Sequence, residues 1–256
     1  MAIANLPAHQ TPCPPPSPTL HSPRTTGESM TYTLHYAPDN ASLIVRLALD
    51  EMGLPYRTEL VDRRTRQQDS AAYRRLNPAG LIPVLETPDG PLSETAAILL
   101  WLVDRHGALG PGVADAQRAG FLKWLFFTSN TLHADLRMIF YPETYAPGAE
   151  AALHAGVTAR MGRHYGLLDA LCGQGTWFGG ADLSVIDLYV VVTMRWAALY
   201  APGGAWFDAG AFPALAGLAA RVEARESVAR AAQAEGLGAR PFTAPARPTP
   251  PEGSAL

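Results

Sequence analysis

Glu94 and Thr95 pair an acid with a hydroxyl at the start of a predicted helix. Unpaired N–H groups and the helix dipole stabilise an anion at such a place. The same residue types are also favoured there simply as caps. Arg63, Arg64 and Arg66 share one predicted loop. Each could meet a ligand carboxylate through a paired, charge-assisted contact, or stand solvated. Tyr36, Asn40 and Ser42 cluster at the end of the first predicted strand, and all three carry hydrogen-bond donors. Asn40 also reads as a turn residue and Ser42 as the N-cap of the next helix. Farther along, Phe126, Asn130, His133, Arg137 and Tyr141 fall near one face of a predicted helix at three- and four-residue spacing. A lone histidine on an apolar helix is more often packed core than catalyst, and Trp124, Phe127 and Trp196 read as core. The two cysteines, Cys13 and Cys172, are far apart. They give neither a disulfide scaffold nor a cysteine-built metal site, and with no histidine pair at ligand spacing no metal is expected.

The 256 residues carry 20 basic and 23 acidic side chains, a formal charge of −3. A phosphate-tracking surface needs a basic excess, so nucleic acid is not expected as a partner. With 48% apolar and 17% charged residues the chain has ample material for a core. The longest apolar run, Ala96 to Val103, is too short for a membrane span. These features point to a reduced, cytoplasmic protein. Residues 1–29 hold seven of the 23 prolines, without apolar periodicity or a secretory pattern. Disorder is expected there, with Met30 as the natural start. Residues 238–256 are again proline-rich and are expected to form a flexible tail.

The residues between must position the groups named above. Tyr32 to Tyr36 alternates like a half-buried strand, and Pro38-Asp39-Asn40 ends it. Apolar spacing from Ser42 to Met52 predicts a helix, stopped by Gly53 and Pro55. A second strand over 56–61, a short helix at about 69–76 and a third strand over 81–86 follow. Pro83 in that third strand is abnormal for a central position. Asp89-Gly90 makes a hairpin turn, and a helix runs from Thr95 to His106. The order within 30–108 is therefore β-α-β-α-β-β-α. Residues 113–237 then read as helices only, at 115–141, 149–172, 184–200 and 213–236. Ser184 and Asp187 have capping-box form, the aspartate reaching less far than the usual glutamate.

This order, with Asn77-Pro78-Ala79-Gly80-Leu81-Ile82-Pro83-Val84-Leu85, then Leu92-Ser93-Glu94-Thr95, then the Ser184–Asp187 box, resembles the glutathione S-transferase family over about residues 31–237. The subgroup it resembles is a bacterial one, similar to the beta and nu classes. The resemblance implies an α/β thioredoxin-like N-terminal domain followed by an all-α helical C-terminal domain, usually as a homodimer. It implies glutathione as co-substrate. Pro83 would be the family's cis proline, leaving the Ile82 backbone to hold the cysteinyl part of glutathione. Glu94 would pair with its ammonium, and Thr95 would receive the γ-glutamyl carboxylate. Arg66 falls where beta-class sequences carry a lysine for the glycyl carboxylate. Phe126, Asn130, His133 and Arg137 would line the electrophile site, His133 matching a beta-class histidine.

A free thiol with pKa about 8.5 is only about 3% thiolate at pH 7. Lowering it by about two units requires roughly 2.7 kcal/mol of preference for the anion. One or two hydrogen bonds to a charged acceptor supply that much. Beta-class members place a cysteine where this chain has Ala41, so a mixed disulfide there is impossible. Nu-like members use an asparagine near the place of Asn40, and other classes use serine. Asn40 and Ser42 are favoured as donors to the thiolate, with Tyr36 third. The implied activity is glutathione conjugation to a small hydrophobic electrophile. The alternatives are a nu-like glutathione-dependent disulfide reductase and a non-catalytic binding or regulatory protein on the same fold.

Overall fold

The computed structural model describes residues 32–175, 177–200 and 206–255. Segment 1–29 and Met30, with the expectations attached to them, lie outside the described residues. Strands β1 (Tyr32–Tyr36), β2 (Tyr56–Leu60), β3 (Val84–Thr87) and β4 (Gly90–Ser93) form one sheet in the order β2-β1-β3-β4. β1 runs parallel to β2, with Tyr36 beside Leu60, and antiparallel to β3, with His35 opposite Val84. β3 is antiparallel to β4 and sets the same Val84 opposite Ser93. The third strand begins only after Pro83, which has no N–H to give the ladder.

Helix α1 (Ser42–Glu51) is buried from Ser42 through Leu49 because it is covered on both sides. Tyr32, Leu34 and Tyr36 of the sheet meet one side of it, and the helical half covers the other. Helix α2 (Ala71–Leu76) is capped by Ser70, whose hydroxyl accepts from Tyr73 N at 3.1 Å. It lies on the opposite face, where Tyr73 packs with Val61 and Val84. Helix α3 (Thr95–His106) ends at Gly107, in the left-handed conformation at φ 63° that glycine adopts without cost.

The helical half comprises α4 (Arg118–Phe127), α5 (Ala134–Phe140), α6 (Pro142–Tyr145), α7 (Glu150–Leu171), α8 (Val185–Leu199), α9 (Pro213–Glu223) and α10 (Glu226–Glu235). Two helices expected to be continuous are divided. Residues 115–141 contain a π-helical turn, Thr128–His133, between α4 and α5. Residues 213–236 break at Arg225, which is extended (φ −84°, ψ 144°) and separates α9 from α10. α8 is buried from Val185 through Ala197 and forms the axis of the core. Each fully buried aliphatic side chain there contributes roughly 1.5 to 3 kcal/mol. The capping box starts this helix. Asp187 Oδ2 accepts from Ser184 N at 2.7 Å, and Ser184 Oγ accepts from Asp187 N at 3.4 Å. Asp187 Oδ1 also takes the Gly179 N–H at 2.7 Å. Burial pushes the Asp187 carboxyl up to about 6.

Residues 238–255 depart from the flexible tail expected of their composition. Phe242 is buried, Glu223 accepts the N–H groups of Phe242 and Thr243 at 2.8 Å, and Thr249 N donates to Gly236 O at 2.8 Å. Proline removes donors and periodicity, so the segment forms no helix. Several of its backbone groups are taken up by side chains of the body, Arg195 holding Pro241 O and Ala246 O and Arg63 holding Ala255 O.

Candidate functional site

The sheet register brings the chemistry-bearing segments to one end. β1 and β2 finish there, β3 begins there, and β4 finishes there, since Val84 faces both His35 and Ser93. Pro83, the loop after Tyr36, the loop after Leu60 and the Glu94–Thr95 pair are therefore neighbours. The Ile82–Pro83 bond is cis, as the resemblance implied. Glu94 is exposed and holds φ 69°, unusual for a residue with a Cβ, as it leads into α3. Thr95 is buried, and its hydroxyl bears on that of Tyr189 in α8. An exposed carboxylate thus stands beside the hydroxyl and N–H groups of a helix start, a fit for a ligand carrying ammonium and carboxylate together.

The three candidate donors separate clearly. Ser42 is the first residue of α1, not its N-cap; Ala41 takes that place without a side-chain cap. The Ser42 hydroxyl is fully buried, donates to Ala37 O at 3.1 Å and accepts from Ala37 N at 3.3 Å. Its one proton is committed to the backbone. Tyr36 donates its hydroxyl to Glu252 at 2.5 Å, beneath the Arg46 guanidinium at 4.8 Å from its ring. Burial and then that carboxylate raise its pKa well above the ordinary tyrosine value. Asn40 alone keeps a donor: its Oδ1 accepts from Ala41 N at 2.8 Å, and among the described residues nothing accepts from Nδ2.

Of the loop arginines, Arg64 pairs with Asp62 at 2.8 Å. Arg66, the residue aligned with the beta-class lysine, has a side chain 79% exposed and pairs with Asp69 at 2.8 Å. Arg63, named with the other two but not aligned with the beta-class lysine, bridges the two halves. It donates to Tyr141 Oη at 2.9 Å and to Ala255 O at 2.6 Å.

The expected electrophile face is not one face. Phe126, 43% exposed, and Asn130, which accepts from Ser129 Oγ at 2.9 Å, point outward. The π-helical turn Thr128–His133, which contains Asn130, adds a residue to the helix and rotates the phase by about 100°. His133 then turns onto α8, its Nδ1 2.8 Å from Tyr189 Oη and its ring 5.2 Å from that of Trp196. Burial lowers its pKa to about 4, so it is neutral at ordinary pH. Arg137 is exposed and donates to Tyr145 Oη at 2.8 Å.

Behind the donor loop lies a group that the sequence reading treated as a strand breaker. Asp39, at φ 50°, is buried with Arg195, their closest approach being 2.8 Å with both side chains 0% exposed. Two grooves of about 440 and 450 Å3 occur elsewhere, one along α10 and Pro241, the other between the end of α1 and Arg221, Arg225 and Arg230. Neither is lined by Asn40, Pro83, Glu94, Thr95 or the arginines of the loop after β2. Among the described residues no cluster of His, Cys, Asp and Glu side chains could hold a metal ion, and no helix is long and apolar enough to cross a membrane.

The family model of the glutathione S-transferase N-terminal domain matches residues 41–105. Glutathione S-transferase GST-4.5 of Xanthomonas campestris is 32% identical to this chain, over 80% of it and 98% of the relative. This chain belongs to the glutathione S-transferase family. A glutathione transferase homologue from Sulfitobacter, solved with bound glutathione, is 25% identical with a TM-score of 0.67, covering 78% of this chain and 96% of its own. A glutathione transferase from Burkholderia graminis, solved with two glutathione molecules per subunit, is 28% identical with a TM-score of 0.67, covering 81% and 90%. The thioredoxin-like half followed by helices is thus the family architecture, and these relatives are bacterial.

Proposed function

We propose that this protein is a glutathione transferase joining the thiol of reduced glutathione to a small apolar electrophile. The observation that carries the reading is the exposed Glu94 carboxylate beside Thr95 at the head of α3, one strand from Ile82–Pro83 and at the same sheet end as the Asn40 amide. Glu94 takes the ammonium of the γ-glutamyl end, and Thr95 takes its carboxylate. The Ile82 backbone holds the cysteinyl unit. The glycyl carboxylate lies toward the loop after β2, where Arg66 can exchange Asp69 for it. Asn40 Nδ2 donates to the sulfur and raises its thiolate fraction. The thiolate attacks the electrophilic carbon; a carbon–sulfur bond forms, the leaving group departs with its electron pair, and the thiol proton passes to solvent. Of the proposed electrophile-site residues, Phe126, Asn130 and Arg137 are accessible, whereas His133 acts only from behind, by packing. The active form is a cytoplasmic homodimer.

A second reading, a glutathione-dependent disulfide reductase, is favoured by Ala41 in the cysteine's place and by the Burkholderia relative with two glutathiones per subunit. One glutathione sulfur would attack the disulfide and the second would release the product, leaving oxidised glutathione. Calorimetric titration with reduced glutathione tests both readings, and saturable binding at or below millimolar concentration is expected. Turnover of an aryl halide then supports the transferase, and turnover only of a glutathione mixed disulfide supports the reductase. No heat up to about 10 mM would leave a binding or regulatory protein on the fold.

A further inference from the structure

The Asn40 donor sits on a loop, and a loop holds a side chain less firmly than a helix or strand does. Its amide plane is set locally, since Oδ1 is tied to Ala41 N at 2.8 Å. Where Nδ2 lies therefore depends on the backbone of residues 39–41. That backbone is gripped at Asp39. Arg195 Nε donates to Asp39 Oδ1 at 2.9 Å, and Arg195 Nη2 to Oδ2 at 2.8 Å. Trp196 Nε1 donates to Oδ1 at 3.0 Å, and Tyr200 Oη to Oδ2 at 2.5 Å. The Asp39 N–H goes to Glu235 Oε2 at 2.8 Å, so the residue is held at both backbone and side chain. The other charged groups of this neighbourhood are Arg46, paired with Glu235 at 2.7 Å, and Arg247, 4.8 Å over the Tyr200 ring.

A left-handed residue in a loop is ordinarily served by glycine. An aspartate there, with a buried arginine to match, gains little stability over an apolar pair, because both charges lose their water. What the arrangement does secure is geometry. We propose that Asp39 is a positioning residue for the Asn40 amide: the grip of Arg195, Trp196 and Tyr200 fixes the loop that presents Asn40 to the glutathione sulfur. The remaining Arg195 donors hold Pro241 O at 2.9 Å and Ala246 O at 3.0 Å, so the C-terminal segment closes over the clamp and keeps it dry. The inference rests on the reading of Asn40 as thiolate donor. A displacement of about 1 Å at such a donor can cost up to about a hundredfold in rate.

The test uses the full chain and follows the ultraviolet absorbance of bound thiolate against pH, with glutathione affinity measured alongside. Asn40→Ala should raise the midpoint of thiol ionisation by about one unit. Tyr200→Phe, which removes one donor from Asp39, and Asp39→Asn should raise it in the same direction by about half a unit. Both should leave glutathione affinity within about twofold, since Glu94 and Thr95 are untouched. Arg225→Ala breaks the 2.6 Å pair with Glu51 away from the loop and controls for lost stability; it should leave the midpoint unmoved. If Asp39→Asn does not fold, Tyr200→Phe carries the test alone. A wild-type midpoint in Tyr200→Phe, with a moved one in Asn40→Ala, overturns the positioning role and leaves the donor reading standing. An unmoved midpoint in Asn40→Ala, or no binding by the wild-type chain, overturns both.

Discussion

The open end of the sheet and the buried seam behind it are built by opposite means. At the sheet end Glu94 and Arg66 are exposed, and Asn40 keeps an uncommitted donor. In the seam Asp39 with Arg195 and Arg46 with Glu235 are buried, and every donor named there has an acceptor. Under the proposed function the first region receives charge from a ligand. The second has already met its charge from within the chain. A binding group must stay reachable from solvent, with no partner or one that a ligand can replace, as Asp69 is for Arg66, whereas a group that positions it must be saturated and dry.

The largest expected effect lies in the seam. Arg195→Ala leaves Asp39 buried without its cation and should cost about 3 to 5 kcal/mol, read by chemical denaturation; a loss below about 1 kcal/mol would break the contrast. Next, Glu94→Ala at the open end should weaken glutathione about 10- to 100-fold in calorimetry while moving the melting temperature little. Equal damage to stability would show that Glu94 belongs to the frame, not to the ligand.

The pH dependence separates the regions further. Burial pushes the Glu235 carboxyl up to about 7, against the pull of Arg46, so the folded chain binds a proton that the unfolded chain has released. This contribution is fully present below about pH 4.5, the ordinary glutamate range, and is lost as pH rises through about 7. Asp187, at about 6, acts in the same direction over a lower window. Stability should therefore decline from about pH 4.5 to 7, and Glu235→Gln should flatten the decline in denaturation curves taken across that range. Deleting residues 252–256 removes the acceptor on Tyr36 and the Ala255 carbonyl on Arg63. It should cost about 1 kcal/mol and lower the pH at which Tyr36 ionises, followed by tyrosinate absorbance. The smallest effect belongs to Arg66→Ala. Its pair with Asp69 is solvent-screened, so stability should change by less than about 0.5 kcal/mol, and a change in glutathione affinity would isolate any ligand role.

What could be read in advance divides along the same line. The strands, the Glu94–Thr95 helix start, the Asp89-Gly90 turn and the Ser184–Asp187 box each rest on residues a few positions apart, and all are present. Ser42 misled because its hydroxyl turns back to Ala37 instead of capping the helix it opens. The helical face carrying His133 misled because one π-helical turn shifts the phase, which three- and four-residue spacing does not reveal. The C-terminal segment misled because composition reports the lack of periodicity and says nothing of foreign partners. Asp39 was visible only as a turn former, and Arg195 only as a charge inside an apolar helix. That unexplained charge was the one available hint of a buried partner.

By itself the sequence determined the order of elements in the first half, because this follows from hydrophobic period, caps and turns acting over a few residues, and its motifs were enough to resemble the family to which the chain belongs. Which of Tyr36, Asn40 and Ser42 keeps a proton to give was decided only by the tertiary structure. So were the direction of His133 and the fate of the last residues. The physical reason is distance along the chain: Asp39 meets Arg195 across 156 positions and Tyr36 meets Glu252 across 216. A side chain's spare hydrogen-bonding capacity is known only after such distant partners have taken their share.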